Sequence, residues 1–118
     1  MNPDPAPQSS PEDLVAQYLT DAGTQILARH WRCSYGQISL IAEDAGATVF
    51  VHLSTRAGQP FLVAAEAVSF AQQQRLRRLS LLWLAEQDGP WFQIRFDVAA
   101  VIFAPGHEPQ VQHFRAAF

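Results

Sequence analysis

The stretch "GQISLIAEDAGATVFVHLST", residues 36–55, decides the fold. Its middle, "EDAGA", reads as a turn, because Asp, Gly and small residues tolerate the backbone angles of a tight reversal. Residues 37–43 before the turn and 48–55 after it carry the apolar, β-branched content of strands. Side chains alternate across a strand, so Val49, Val51 and Leu53 face one way, and Phe50, His52 and Ser54 the other. Apolar residues stand on both faces, which predicts cover on both sides of the sheet.

Upstream, residues 25–31 read as a further strand, joined to 37–43 by the turn-forming Ser34, Tyr35 and Gly36. Before it, Ser10, Pro11 and Asp13 have the order of an N-cap, a first-turn proline and a near capping box. Leu14, Tyr18, Leu19 and Ala22 then form an apolar face ending at Gly23, predicting a helix over 11–22. Downstream, residues 58–69 read as a loop or short crossover. Gln72, Leu76, Leu79 and Trp83 recur at helical spacing over about 70–87, and Gly89 and Pro90 stop that helix. The aromatic and β-branched run 91–103 suggests a central strand, and 111–114 a short last one after "PGHEP". The order is helix, three-strand meander, helix, strand, short strand: an α/β fold with a mixed sheet flanked by helices. Residues 1–10 read as a disordered tail ending at the capping Ser10, and 11–118 as a single domain.

A hydrophobic fraction of 48% and a charged fraction of 16% fit one packed core. The opening "MNPDPAPQSSP" lacks the basic and apolar runs of a secretory signal, and no segment has the ~20 apolar residues of a membrane span. A cytoplasmic protein with no membrane partner is therefore expected. The single Cys33 forms no internal disulfide and is assigned to packing. All eight cationic side chains are arginine, and the formal net charge is −3. The acidic balance argues against a general nucleic-acid binder, leaving a local arginine patch to carry any such role. The absence of lysine excludes a catalytic side-chain amine.

The ordered phrases "EDLVAQYL", "ILARHWRCSYGQISLIAED", "VFVHLSTR", "AEAV", "RLRRL", "RFDVAAV" and the final "AAF" run from about residue 12 to 118. Together they resemble the YraN-type family of uncharacterised proteins, which is similar to the PD-(D/E)XK nucleases. The resemblance implies a restriction-endonuclease-like core. In that group an acidic residue on one strand and a Glu-x-Lys pair on the next hold magnesium and orient a water at the scissile phosphate. Such chemistry needs oxygen ligands for a hard cation, which activates the water and neutralises phosphoryl charge.

Where the family pattern reads Gly-Glu-Ile-Asp-Leu-Ile, this chain has "GQISLI", placing Gln37 and Ser39 at the carboxylate positions. Where the pattern reads Val-Phe-Val-Glu-Val-Lys-Thr-Arg, it has "VFVHLSTR", with His52 for the metal-binding Glu and Ser54 for the Lys. Gln72 stands where the pattern has a Lys opening the second helix. Only Glu12 of the acidic site remains matched. The resemblance therefore implies a catalytically inactive nuclease-like protein without a cofactor, with weak, sequence-independent nucleic-acid binding or a protein partner. The alternative is a Mg²⁺-dependent endonuclease whose ligands have moved to Glu12, Glu43, Asp44 or Glu66.

Other readings of the same residues compete. His52 offers an imidazole for zinc, joined by Glu12 or another histidine, or it sits in the old ligand pocket hydrogen-bonded to Ser39 or Ser54. Ser39 or Ser54 with His52 as base would outline a serine hydrolase, but there is no nucleophile-elbow pattern and no assignable acidic orienter. Arg32, Arg56, Arg75, Arg77 and Arg78, with Arg29, offer a phosphate-binding face. The alternative for these arginines is a solvated charge run, although cations in the first half of a helix oppose its dipole. Asp97 is expected to pair with an arginine or cap a turn. Trp31, Trp83 and Trp91 read as core or rim aromatics.

Overall fold

The computed structural model describes residues 10–88 and 93–118. The first helix, α1, spans Pro11–Asp21 and starts as its sequence predicts. The Ser10 hydroxyl accepts from the Asp13 N–H at 3.1 Å, and the Asp13 carboxylate accepts from the Ser10 N–H at 3.2 Å. The buried stripe differs from the expected one: Val15, Ala16 and Leu19 face the sheet, while Tyr18 is 40% exposed. Strands β1 (Gln25–Cys33), β2 (Gly36–Asp44) and β3 (Ala47–Ala57) form the meander. A single 3-10 turn at Ala64–Glu66 leads into helix α2, Phe70–Ala85. Strands β4 (Gln93–Phe103) and β5 (Gln110–Phe114) complete the sheet. Residues 1–9 of the predicted tail, the stop at Gly89 and Pro90, and the strand start at Trp91 lie outside the described residues.

The sheet has the order β1-β2-β3-β4-β5. All neighbours are antiparallel except β3 and β4, which α2 connects as a parallel pair. The two helices cover opposite faces. Val15, Ala16 and Leu19 of α1 pack with Leu40, Ala42, Val49, Val51, Ala99 and Val101. Leu76, Leu79 and Trp83 of α2 pack with Ile38, Ile41 and Phe50, and half-buried Cys33 packs against this cluster. The alternation read from residues 49–53 is thus realised, with Val49 and Val51 on the α1 side and Phe50 on the α2 side.

That alternation fails at one place on β2. Ile38 joins the α2 cluster and Leu40 the α1 cluster, although residues two apart on a regular strand share a face. The strand rolls over at Ser39. Beside it on β1, His30 adopts φ +51°, between the pairs Arg29↔Leu40 and Trp31↔Ile38. The β2–β3 ladder runs from Asp44↔Ala47 to Leu40↔Val51 and stops there, while β3 stays paired with β4 as far as Ala57↔Phe103. A wedge opens between β2 and β3 beyond Val51, and α2 lies over it.

Candidate nucleic-acid interface

The wedge holds a cleft of about 200 Å³ lined by Gln37, Ile38 and Ser39 of β2, Val51, His52 and Leu53 of β3, and Gln72, Arg75, Leu76 and Leu79 of α2. Four of the six positions singled out in the sequence, Gln37, Ser39, His52 and Gln72, therefore come together. Two do not line the cleft. Ser54 lies two residues farther along β3, and Glu12 lies in the first turn of α1, whose buried residues cover the other face of the sheet.

The donors in the cleft are amides, a hydroxyl and an imidazole, with no carboxylate. Magnesium prefers carboxylate and other hard oxygen ligands, and the Arg75 guanidinium adds to the same cleft a positive charge that repels a dication. The residues present do not fit that metal. No group of three His, Cys, Asp or Glu side chains able to hold a metal ion gathers among the described residues. The migrated ligands considered for an active nuclease are dispersed: Asp44 accepts from Arg95 at 2.9 Å, Glu66 pairs with Arg56 at 3.6 Å, and Glu43 is exposed near the far end of β2.

Two cleft residues have local duties that the sequence left unread. The Gln72 side-chain oxygen accepts from the Ser69 N–H at 2.8 Å, while the Ser69 hydroxyl accepts from the Gln72 N–H at 3.1 Å. This second capping box fixes the start of α2 at the edge of the cleft. Its signal was legible as Ser-x-x-Gln before a helical run. His52 is half-buried, and burial pushes its pKa below the ordinary histidine value, opposed by a backbone hydrogen bond with Ala67. The described partner is Ala67 rather than the expected Ser39 or Ser54. Below its lowered pKa, His52 gains a positive charge inside a cleft that already holds an arginine.

The six arginines expected to share one face divide. Arg75 lines both the cleft and an adjoining hollow of about 380 Å³, where it is joined by Arg78, Tyr35, Ala71, Gln74 and Leu79. Arg32 lines a hollow of about 350 Å³ on the hairpin with Cys33, Ser34, Gly36 and Gln37, the last of which also lines the cleft. No carboxylate lines any of the three depressions, and among the described residues Arg32, Arg75 and Arg78 have no carboxylate partner. Arg77 instead lies over the rings of Phe96 and Phe118, at 4.8 and 5.3 Å from their centroids. Arg56 lies over Phe61 at 4.6 Å and pairs with Glu66. Arg29 binds Asp13, tying β1 to α1.

Away from the cleft, Asp97 is fully buried and saturated. It accepts from Arg95 Nε and Nη2 at 2.9 Å each and from the Ala116 N–H at 2.9 Å, and it bonds His113 Nε2 at 2.8 Å. Burial alone would raise its pKa, but these partners outweigh it and hold the carboxylate below its ordinary value. Asp97 thus both pairs with an arginine and fastens the turn after β5, as its sequence position suggested.

A family model described as "Uncharacterised protein family UPF0102" matches residues 11–101. The chain belongs to the UPF0102 family. A UPF0102 protein of Nocardia farcinica is 58% identical over 107 residues, covering 91% of this chain and 84% of that protein. One from Rhodococcus opacus is 46% identical over 107 residues, with 91% of each chain covered. One from Mycolicibacterium smegmatis is 42% identical over 104 residues, covering 86% of this chain and 84% of the other. The YraN-type resemblance of the quoted phrases is to this UPF0102 family. Every residue lining the cleft lies inside the matched span, whereas β5, with His113, lies beyond it.

Proposed function

We propose that this UPF0102 protein is nuclease-like in fold and binds the backbone of nucleic acid, without a cofactor and without cleaving it. The observation carrying this reading is the presence of Arg75 in one cleft with Gln37, Ser39, His52 and Gln72, where a PD-(D/E)XK nuclease would concentrate acidic ligands. The element order and the site at the parting ends of β2 and β3 support the restriction-endonuclease-like part of the reading. Arg75 with Arg78 and Arg32 supplies planar, always-charged donors suited to phosphate oxygens, and none of the three is spent on a carboxylate among the described residues. Three such contacts suit non-specific binding, with dissociation constants of roughly 10⁻⁴ to 10⁻⁶ M near physiological salt. Sequence preference is not expected, since phosphate contacts position a nucleic acid without reading it.

The test uses purified full-length protein with labelled single-stranded, duplex and branched DNA. Metal-free binding without cleavage in Mg²⁺ or Mn²⁺ is the expected result, with Arg75→Ala weakening the binding. Metal-stimulated cleavage abolished by Glu12→Ala would overturn this reading in favour of an endonuclease with relocated ligands. Absence of nucleic-acid binding at low salt would leave a protein partner as the function.

A further inference from the structure

We propose that Tyr35 is a stacking platform for an unpaired base, so that the preferred ligand is a single-stranded nucleic acid or the unpaired part of a larger one. This deepens the phosphate-binding reading and depends on it. Tyr35 closes the β1–β2 hairpin, where Cys33 pairs with Gly36 across a two-residue loop. Such loops favour Gly, Asn, Asp and Ser, and nothing in the turn calls for an aromatic residue. Large aromatic side chains usually bury most of their surface, yet Tyr35 is 70% exposed. The other tyrosine, Tyr18, is packed edge-on against His113 with ring centroids 5.8 Å apart.

The ring is presented beside charge. Tyr35 shares its hollow with Arg75 and Arg78, and Arg75 continues into the cleft. Arg32 lies on the same hairpin. The hairpin tip is held close to α2, because a Cβ at Gly36 would lie 3.4 Å from Leu79 Cδ1 and 3.9 Å from the Arg75 Nε. Gly36 also has φ +146°, a backbone angle that disfavours a side chain there. An aromatic face set beside guanidinium groups is the arrangement by which proteins hold single strands: the bases stack and the phosphates pair with the cations. In a duplex the base faces are already stacked on one another, and only unpaired bases can be splayed onto a side-chain ring.

Fluorescence anisotropy with labelled oligothymidylate, oligouridylate and a duplex, each of about a dozen nucleotides, tests this in metal-free, low-salt buffer. The wild type is expected to prefer both single strands over the duplex, since stacking uses the base face and not the sugar. Tyr35→Ala should weaken binding to both single strands about tenfold while changing duplex binding less than about twofold. Tyr35→Phe, which keeps the ring, should retain single-strand affinity. Arg75→Ala should weaken all three probes. Unchanged single-strand affinity in Tyr35→Ala, with loss in Arg75→Ala, overturns the platform and leaves the phosphate reading intact. An equal loss on duplex and single strands in Tyr35→Ala also overturns it. Failure of the wild type to bind any probe removes both.

Discussion

Replacing Asp97 with asparagine removes one charge from a site built to receive it. The side chain is buried, and its four hydrogen bonds come from Arg95, His113 and the Ala116 backbone at 2.8–2.9 Å. The amide has almost the same shape, but its NH₂ group turns donors toward donors and leaves Arg95 with less compensation. Breaking a buried charge pair by altering one partner costs about 3–5 kcal/mol. Arg95 is partly exposed and keeps Asp44 at 2.9 Å, so the lower end applies, about 3 kcal/mol. For a domain of this size that is about a 12 °C fall in melting temperature. Urea denaturation should show a lower midpoint with an unchanged slope. The pH dependence carries a sign as well. Because Asp97 is held below the ordinary carboxylate pKa, its contribution is fully present above about pH 4 and is lost as the pH falls through its lower folded value. Wild type and Asp97→Asn should therefore converge in acid. A loss below about 1 kcal/mol at neutral pH, or a gap that stays constant on acidification, would refute the reasoning.

Three further outcomes are expected. His52 is harder to protonate in the folded chain than in the unfolded one, so wild-type stability should decline as the pH falls below about 6.5; His52→Gln should flatten that part of the profile in urea titrations. Ala45 and Gly46 form the two-residue loop between Asp44 and Ala47 with φ of +51° and +85°, and Ala45→Asn should stabilise the protein by about 0.5–1 kcal/mol; no rise in the unfolding midpoint would speak against that backbone. Ser39→Asp combined with His52→Glu puts two carboxylates into the cleft, and calorimetry should detect Mn²⁺ binding by this variant but none by the wild type; adding Ser54→Lys should still not confer cleavage, since residue 54 does not line the cleft and turnover also needs contacts that orient the ligands.

The fold was legible where local chemistry and tertiary packing agree. Ser10, Pro11 and Asp13 announce the start of α1, and the alternation from Val49 to Leu53 assigns both faces of β3. The cleft was legible through the resemblance, which brought Gln37, Ser39, His52 and Gln72 together before any coordinate did. The arginine patch was not, because neighbours in sequence are not neighbours on a surface. At about 100° per helical residue, Arg75 and Arg78 lie about 60° apart around α2, while Arg77 lies about 160° from Arg75 and meets Phe96 and Phe118. Arg56 lies four residues past His52, about 13 Å along β3, where Phe61 and Glu66 engage it. Tyr35 was read only as a turn residue, since its exposure depends on how the hairpin settles against α2. The roll of β2 at Ser39 left no mark in a pattern that assumes regular alternation.

The dependence of binding on salt tests most directly whether Arg32, Arg75 and Arg78 hold phosphates. Anisotropy of a labelled duplex across a potassium chloride series gives log K against log salt, with a slope of about −0.9 for each neutralised phosphate. Three contacts predict a slope near −2.7 for the wild type, a shallower one by about 0.9 for each single Arg→Ala change, and almost none for the triple variant. Arg77→Ala should leave the slope unchanged, because that guanidinium is stacked on Phe96 and Phe118. A triple variant that binds with wild-type affinity and slope, or a wild type that does not bind at low salt, would contradict the account.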